Sequence, residues 1–136
     1  MIVADANLIA YFWLPGERTA VAEAIMQRDA AWCAPLLWRS EFRNILANYV
    51  RRHQMDLATA QRVAQDAETL FATREFAVPS AVVLAEAARS SCSAYDCEYA
   101  VLAKELGVAL VTTDKGLLKA FADVAVKPED YVRGLP

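Results

Sequence analysis

Four carboxylates, Asp5, Glu41, Asp96 and Asp114, stand where apolar runs break or end. The clearest case lies in residues 93–121, SAYDCEYAVLAKELGVALVTTDKGLLKAF, where the apolar run Val108–Val111 leads into Thr112-Thr113-Asp114 and a helical pattern follows at once. Near the N-terminus Ile2-Val3-Ala4 ends in Asp5 in the same way. Ligands of open parallel sheets bind at the carboxyl ends of the strands. Acids delivered to that edge by separate segments are costly to crowd together unless a cation neutralises them. The pattern points to a site for a hard metal ion.

Each acid also has a plainer reading. Ser93 as an N-cap places Asp96 at N3, a capping box with Asp in place of Glu or Gln, and the dipole of the same helix start favours the ionised carboxylate. Glu41 shares a helix face with Asn44, Asn48 and Arg52 by the 3.6-residue period. A solvated Glu would be ordinary there, but this one falls between Trp38 and Phe42 on a strongly apolar stretch. Asp114 can be the N-cap of the last helix. Asp5 follows a buried strand and has no helix of its own to cap cleanly, because Asn7 is the expected cap.

The elements that must position these residues alternate. Strands are expected at 2–5, 31–34, 75–78, 108–112 and 124–126, the second and third ended by Pro35 and Pro79. Helices are expected at 17–28, with Val21, Ala24, Ile25 and Met26 inward, and at 36–52, where Phe42, Ile45, Leu46 and Tyr49 keep helical spacing. A further helix from Asp56 to about Thr73 repeats Leu57, Ala60, Val63, Ala67 and Leu70. Ser80 is the expected cap of a helix at 81–89, Ser93 caps 94–106 before Gly107, and 115–122 closes the series. Alternation of this kind predicts a single α/β domain over 1–136. Its mostly parallel sheet should have four or five strands, with the pair 36–52 and 56–73 standing out as a helical hairpin.

Composition narrows the field. With 57% hydrophobic residues and 4 glycines, this is a packed globular chain. No apolar run nears the roughly 20 residues of a membrane span. The first residues lack a basic stretch and carry an acid at position 5, so a cytoplasmic protein without a signal peptide is expected. Cys33, Cys92 and Cys97 lack zinc-type spacing, His53 is the sole histidine, and the thiols read as core or near-core residues. The net charge of −3 argues against a nucleic-acid partner. Residues 36–53 soften that objection, because Arg39, Arg43, Arg51 and Arg52 stand there against Glu41 alone.

Taken in register, the motifs resemble the PIN-domain ribonucleases, in particular the VapC-type toxins of toxin–antitoxin pairs. That family's pattern is Asp-x-(Asn/Ser) after strand one, a mid-chain Glu, Tyr-Asp at a helix start and Thr-x-Asp after a late strand. Asp5-Ala6-Asn7, Glu41, Tyr95-Asp96 and Thr112-Thr113-Asp114 match it in order and spacing over the whole chain. The chain departs from it at Ala6, where many members have Thr, and at Gly116 and Leu117, where many carry a further acid. A second metal site would then be incomplete unless Glu98, just beyond Asp96, compensates.

The resemblance implies a Mg²⁺-dependent RNA endonuclease acting as a toxin, with Mn²⁺ an alternative metal. Asp5, Asp96 and Asp114 would then be ligands, directly or through water. Glu41 would order or deprotonate the attacking water, while Asn7, Ser93 and Thr112 support the geometry. Arg39, Arg43, Arg51 and Arg52 become candidate contacts to RNA phosphates or a partner. The apolar stripe Leu37, Ile45 and Tyr49 resembles the groove that receives an antitoxin segment, and a homodimer or toxin–antitoxin assembly is implied. Consecutive Tyr11, Phe12 and Trp13 cannot share one buried face, so partner contact, base stacking and core packing are all open to them. Two other classes compete. A non-catalytic PIN-fold binding module would be expected to have lost the acids. A haloacid-dehalogenase-like phosphatase needs a second Asp two residues after the first, where Asn7 stands.

Overall fold

The computed structural model describes residues 1–134, so the last two positions of the expected 1–136 domain lie outside the described residues. Five strands, β1 (Ile2–Ala4), β2 (Trp32–Pro35), β3 (Glu75–Phe76), β4 (Leu110–Val111) and β5 (Ala125–Val126), form one sheet in the order β3-β2-β1-β4-β5. Every pairing is parallel, with Val3 opposite both Cys33 and Leu110. Helices cover the sheet, so the central strands are buried along their length and read as unbroken apolar runs.

The expected hairpin is α3 (Trp38–Arg51) and α4 (Leu57–Phe71). Trp38, Phe42 and Leu46 of α3 pack against Ala60, Ala67 and Phe71 of α4, and the Trp38 and Phe71 rings lie 4.6 Å apart. The tip, residues 51–54, is exposed, and His53 takes a left-handed φ of 57° to turn the chain. The remaining helices are α1 (Ala6–Trp13), α2 (Thr19–Arg28), α5 (Ser80–Arg89), α6 (Ala94–Leu106), α7 (Lys115–Ala120) and α8 (Pro128–Val132). Gly107 closes α6 at φ 67°, where a β-carbon would be strained. No helix among the described residues is long and apolar enough to cross a membrane.

Several expectations are corrected. The cap of α1 is Asp5, whose Oδ1 accepts from the Ala6 N–H at 2.8 Å, while Asn7 lies exposed inside the helix. Ser80 is the first residue of α5 and not its cap; Pro79 occupies that place. Leu57 is 61% exposed at the start of α4, ahead of the turn where the two hairpin helices meet. In α2 the residues sealed in the core are Ala22 and Ile25, because the helix begins at Thr19 and packs between α1 and α8. Helix α8 was not expected. Five residues carry no readable period, and it is held by Glu129 on Arg18 and by Arg28, which donates to the Val132 carbonyl at 3.0 Å and stacks on Tyr131.

Candidate active site

The chain passes from β1 to β2 on one side, while β4 lies on the other, so the carboxyl ends of β1 and β4 open a crevice at the switch in strand order. Asp5 leaves β1 directly into it, and its N–H donates to the Val111 carbonyl of β4 at 3.2 Å. Thr112 Oγ1 donates to Asp5 Oδ2 at 2.6 Å and accepts from the Asp114 N–H at 3.0 Å. One hydroxyl thus joins the two strand ends. Asp5 is 7% and Thr112 0% exposed, the buried polar side chains among the described residues. Asp114 Oδ1 caps α7 by accepting from the Leu117 N–H at 2.8 Å, leaving Oδ2 unconstrained by that bond.

Two helices bring the other acids. Ser93 Oγ accepts from the Asp96 N–H at 3.1 Å and sets the first turn of α6. Glu41, in the first turn of α3, accepts from the Tyr99 hydroxyl at 2.6 Å through Oε1. Glu41 and Asp96 line a cleft of about 350 Å³ with Ser40, Asn44, Ser93 and Tyr95. Asn7 opens onto a second groove of about 370 Å³ beside Tyr11, Arg18, Ile45 and Tyr49. The stripe Leu37, Ile45 and Tyr49 is therefore divided, with Leu37 in the first cleft and the other two in the second. A larger cleft of about 580 Å³ lies beside Val108, Ala109 and Val124, away from the acids.

The acids are close enough to repel. The Asp5 carboxyl is raised above its ordinary range, chiefly by burial; the Thr112 and Ala6 bonds oppose this, while Asp96 and Asp114 add to it. Burial likewise raises Glu41; Tyr99 opposes this, while Asp5, Asp96 and Glu98 add to it. Asp96 is raised by burial and then by Asp114, and Glu98 by burial. Shifts of this sign at neighbouring acids mark a centre where positive charge is in demand.

An all-oxygen donor set suits a hard divalent cation. Among the described residues no three His, Cys, Asp or Glu side chains close around a common point as they stand. A cation held here would have one or two carboxylates and several waters as ligands, as Mg²⁺ commonly does. A side chain at position 116 would press on the cap of α7 and require Asp114 to shift by a few tenths of an ångström. A β-carbon on Gly116 would lie 3.1 Å from Asp114 Oδ1 and 3.8 Å from Cys92 Sγ. Leu117 is turned into the core.

Of the four arginines, Arg39 is placed elsewhere. Its guanidinium grips both Glu75 oxygens at 2.6 and 2.9 Å and reaches Glu68 at 2.8 Å, which holds the Glu75 carboxyl below its usual range. These bonds tie α3, α4 and β3 together, and Arg39 lies two residues from Glu41 on the far side of the helix. Arg39→Ala is expected to lose roughly 1 kcal/mol of stability, since the pair is partly exposed and screened, and to leave nucleic-acid affinity unchanged. Urea unfolding and a binding titration would check both. Arg43 and Arg51 flank an apolar groove between α3 and α4 lined by Leu46, Val50 and Leu57, and Arg51 and Arg52 are exposed near the hairpin tip. Sequence reasoning missed Tyr99, whose only signal was its place one turn beyond Asp96.

A doubly wound parallel sheet with acids gathered at its switch point is the architecture at hand. The PIN domain family matches residues 2–126, and the chain belongs to that family. Its members are usually nucleases that use divalent metals. Among solved structures the chain is similar to PAE2754 from Pyrobaculum aerophilum, at 22% identity and a TM-score of 0.77 over 98% of this chain and 87% of that one. It is also similar to FitAcB from Neisseria gonorrhoeae, at 20% identity and a TM-score of 0.74 over 95% of this chain and 99% of the other. A structure of FitAB bound to an IR36 DNA fragment matches at 20% identity and a TM-score of 0.70 over 94% and 95%. No curated protein sequence matches the chain. At these identities the structural likeness carries the fold.

Proposed function

We propose that the chain is a divalent-metal-dependent endoribonuclease that serves as the toxin of a toxin–antitoxin pair, built as one PIN domain over residues 1–136. The meeting of Asp5, Glu41, Asp96 and Asp114 from β1, α3, α6 and the end of β4 carries this reading. The likeness to FitAcB, and to FitAB on DNA, supports a protein partner and a phosphodiester ligand.

Bound Mg²⁺, or Mn²⁺ in its place, would polarise a phosphoryl oxygen and acidify a water. Asp5, Asp96 and Asp114 would hold it, directly or through water. Thr112 fixes Asp5 by donating to Oδ2, and Ser93 fixes the turn that carries Asp96. Glu41 would orient the attacking water and accept its proton, a role to which a raised carboxyl is suited. Asn7 lines the adjoining groove, where it would support the substrate. Arg43, Arg51 and Arg52 would contact phosphates away from the acids. The antitoxin segment would lie on Ile45 and Tyr49 and extend toward the acids past Asn7. The working unit would be a cytoplasmic homodimer or toxin–antitoxin assembly.

Incubating the purified chain with total RNA tests the reading. Cleavage in Mg²⁺ that stops in chelator is the expected result. RNA binding without cleavage in either Mg²⁺ or Mn²⁺ would contradict it and favour a binding module.

A further inference from the structure

Tyr99 lies three residues beyond Asp96 on α6, and its side chain is fully buried. A phenylalanine would fill the same space and carry no hydroxyl in need of a partner. The hydroxyl crosses to a different helix, ending 2.6 Å from Oε1 of Glu41, 58 positions away in sequence. We propose that Tyr99 is the positioning residue for Glu41 in RNA cleavage, its buried hydroxyl holding that carboxylate toward Asp5 and Asp96. The inference rests on the nuclease reading above and goes beyond it by assigning a role to a residue outside the acid set.

Glu41 has reason to need such a hold. It is half-buried at a cleft wall, its side chain has three rotatable bonds, and Asp5, Asp96 and Glu98 all repel it. Without a donor the carboxylate would relax toward solvent and away from the crevice. A neutral O–H restrains it and adds no positive charge that would compete with a metal. The α6 backbone fixes Asp96 and Tyr99 one turn apart, so a single helix places one acid and aims another. Thr112 and Asp5 repeat the arrangement, a buried hydroxyl donating to a carboxylate at 2.6 Å.

The full chain carrying Tyr99→Phe should cleave RNA with kcat lowered about ten- to a hundredfold, while KM for RNA and the affinity for Mn²⁺ hold steady. In a Glu41→Ala background the same change should bring no further loss. Wild-type kcat in Tyr99→Phe overturns the inference, as does an equal loss with and without Glu41. A second readout needs no activity. Three-bond couplings should show one Glu41 side-chain conformer in the wild type and averaging in Tyr99→Phe. Averaging already in the wild type, or unchanged couplings in the variant, would also overturn it. A chain that cleaves nothing yet shows this conformer change would sink the nuclease reading and leave the Tyr99–Glu41 restraint standing.

Discussion

Asp5→Asn is expected to abolish RNA cleavage, with kcat down at least about a hundredfold, the upper range for losing a residue that only supports a ligand. Metal-free stability should stay level or rise. The amide oxygen can still accept from Ala6, but its NH₂ meets Thr112 Oγ1, which already accepts from Asp114. The Thr112 hydroxyl then lacks its acceptor, a loss of about 1 kcal/mol. Against that, a buried charge disappears, and burial is the strongest influence on Asp5, ahead of its two bonds. The second effect should win at neutral pH. Asp96→Asn and Asp114→Asn should be inactive too. Steady-state cleavage and urea midpoints check both halves, and wild-type turnover in Asp5→Asn would remove this crevice from the chemistry.

Divalent metal is expected to raise the melting temperature on the order of 10 °C at a hundred times Kd, and the shift should grow with pH. Asp5, Glu41 and Asp96 hold their protons more tightly in the folded chain than in the unfolded one. Raised acids of this kind favour the metal-free fold at low pH. That advantage is lost as pH climbs from the ordinary carboxylate range near about 4 through their raised values. Metal needs the deprotonated forms, so its effect should be smaller near about pH 5 than near about pH 8. Differential scanning fluorimetry at both pH values gives the test. A shift independent of pH, or an equal one in a variant with Asp5, Asp96 and Asp114 all changed to Asn, would count against the site.

Much of the scaffold was legible because its signals are local. Ser93, Asp96 and Gly107 mark both ends of α6 by capping chemistry, and the apolar runs at 2–4 and 108–111 mark strands buried on both faces. Strand lengths were overread, because β3 and β4 pair over two residues each while the apolar runs continue past the ladder. Where two neighbouring residues could do one job, local pattern chose wrongly. Asn7 has the better capping preference, yet the chain turns at Asp5 because β1 ends there, so one carboxylate both caps α1 and faces the crevice.

Longer-range partners were out of reach. The ion pairs that occupy Arg39 come from Glu68 and Glu75, 29 and 36 residues on. The Tyr99 bond to Glu41 spans 58 residues, and no periodicity on either helix announces it. Asp5, Glu41, Asp96 and Asp114 were recognisable as a set because their order resembles a family pattern; their mutual repulsion and burial had to come from the fold.

Anomalous diffraction from a crystal soaked in Mn²⁺ would locate the metal. An anomalous peak is expected in the crevice, with oxygens of Asp5, Asp96 or Asp114 at roughly 2.0–2.6 Å, lost in crystals of Asp5→Asn. A chain that cleaves RNA in Mn²⁺ while its metal sits elsewhere, or while this crevice stays empty, would contradict that placement.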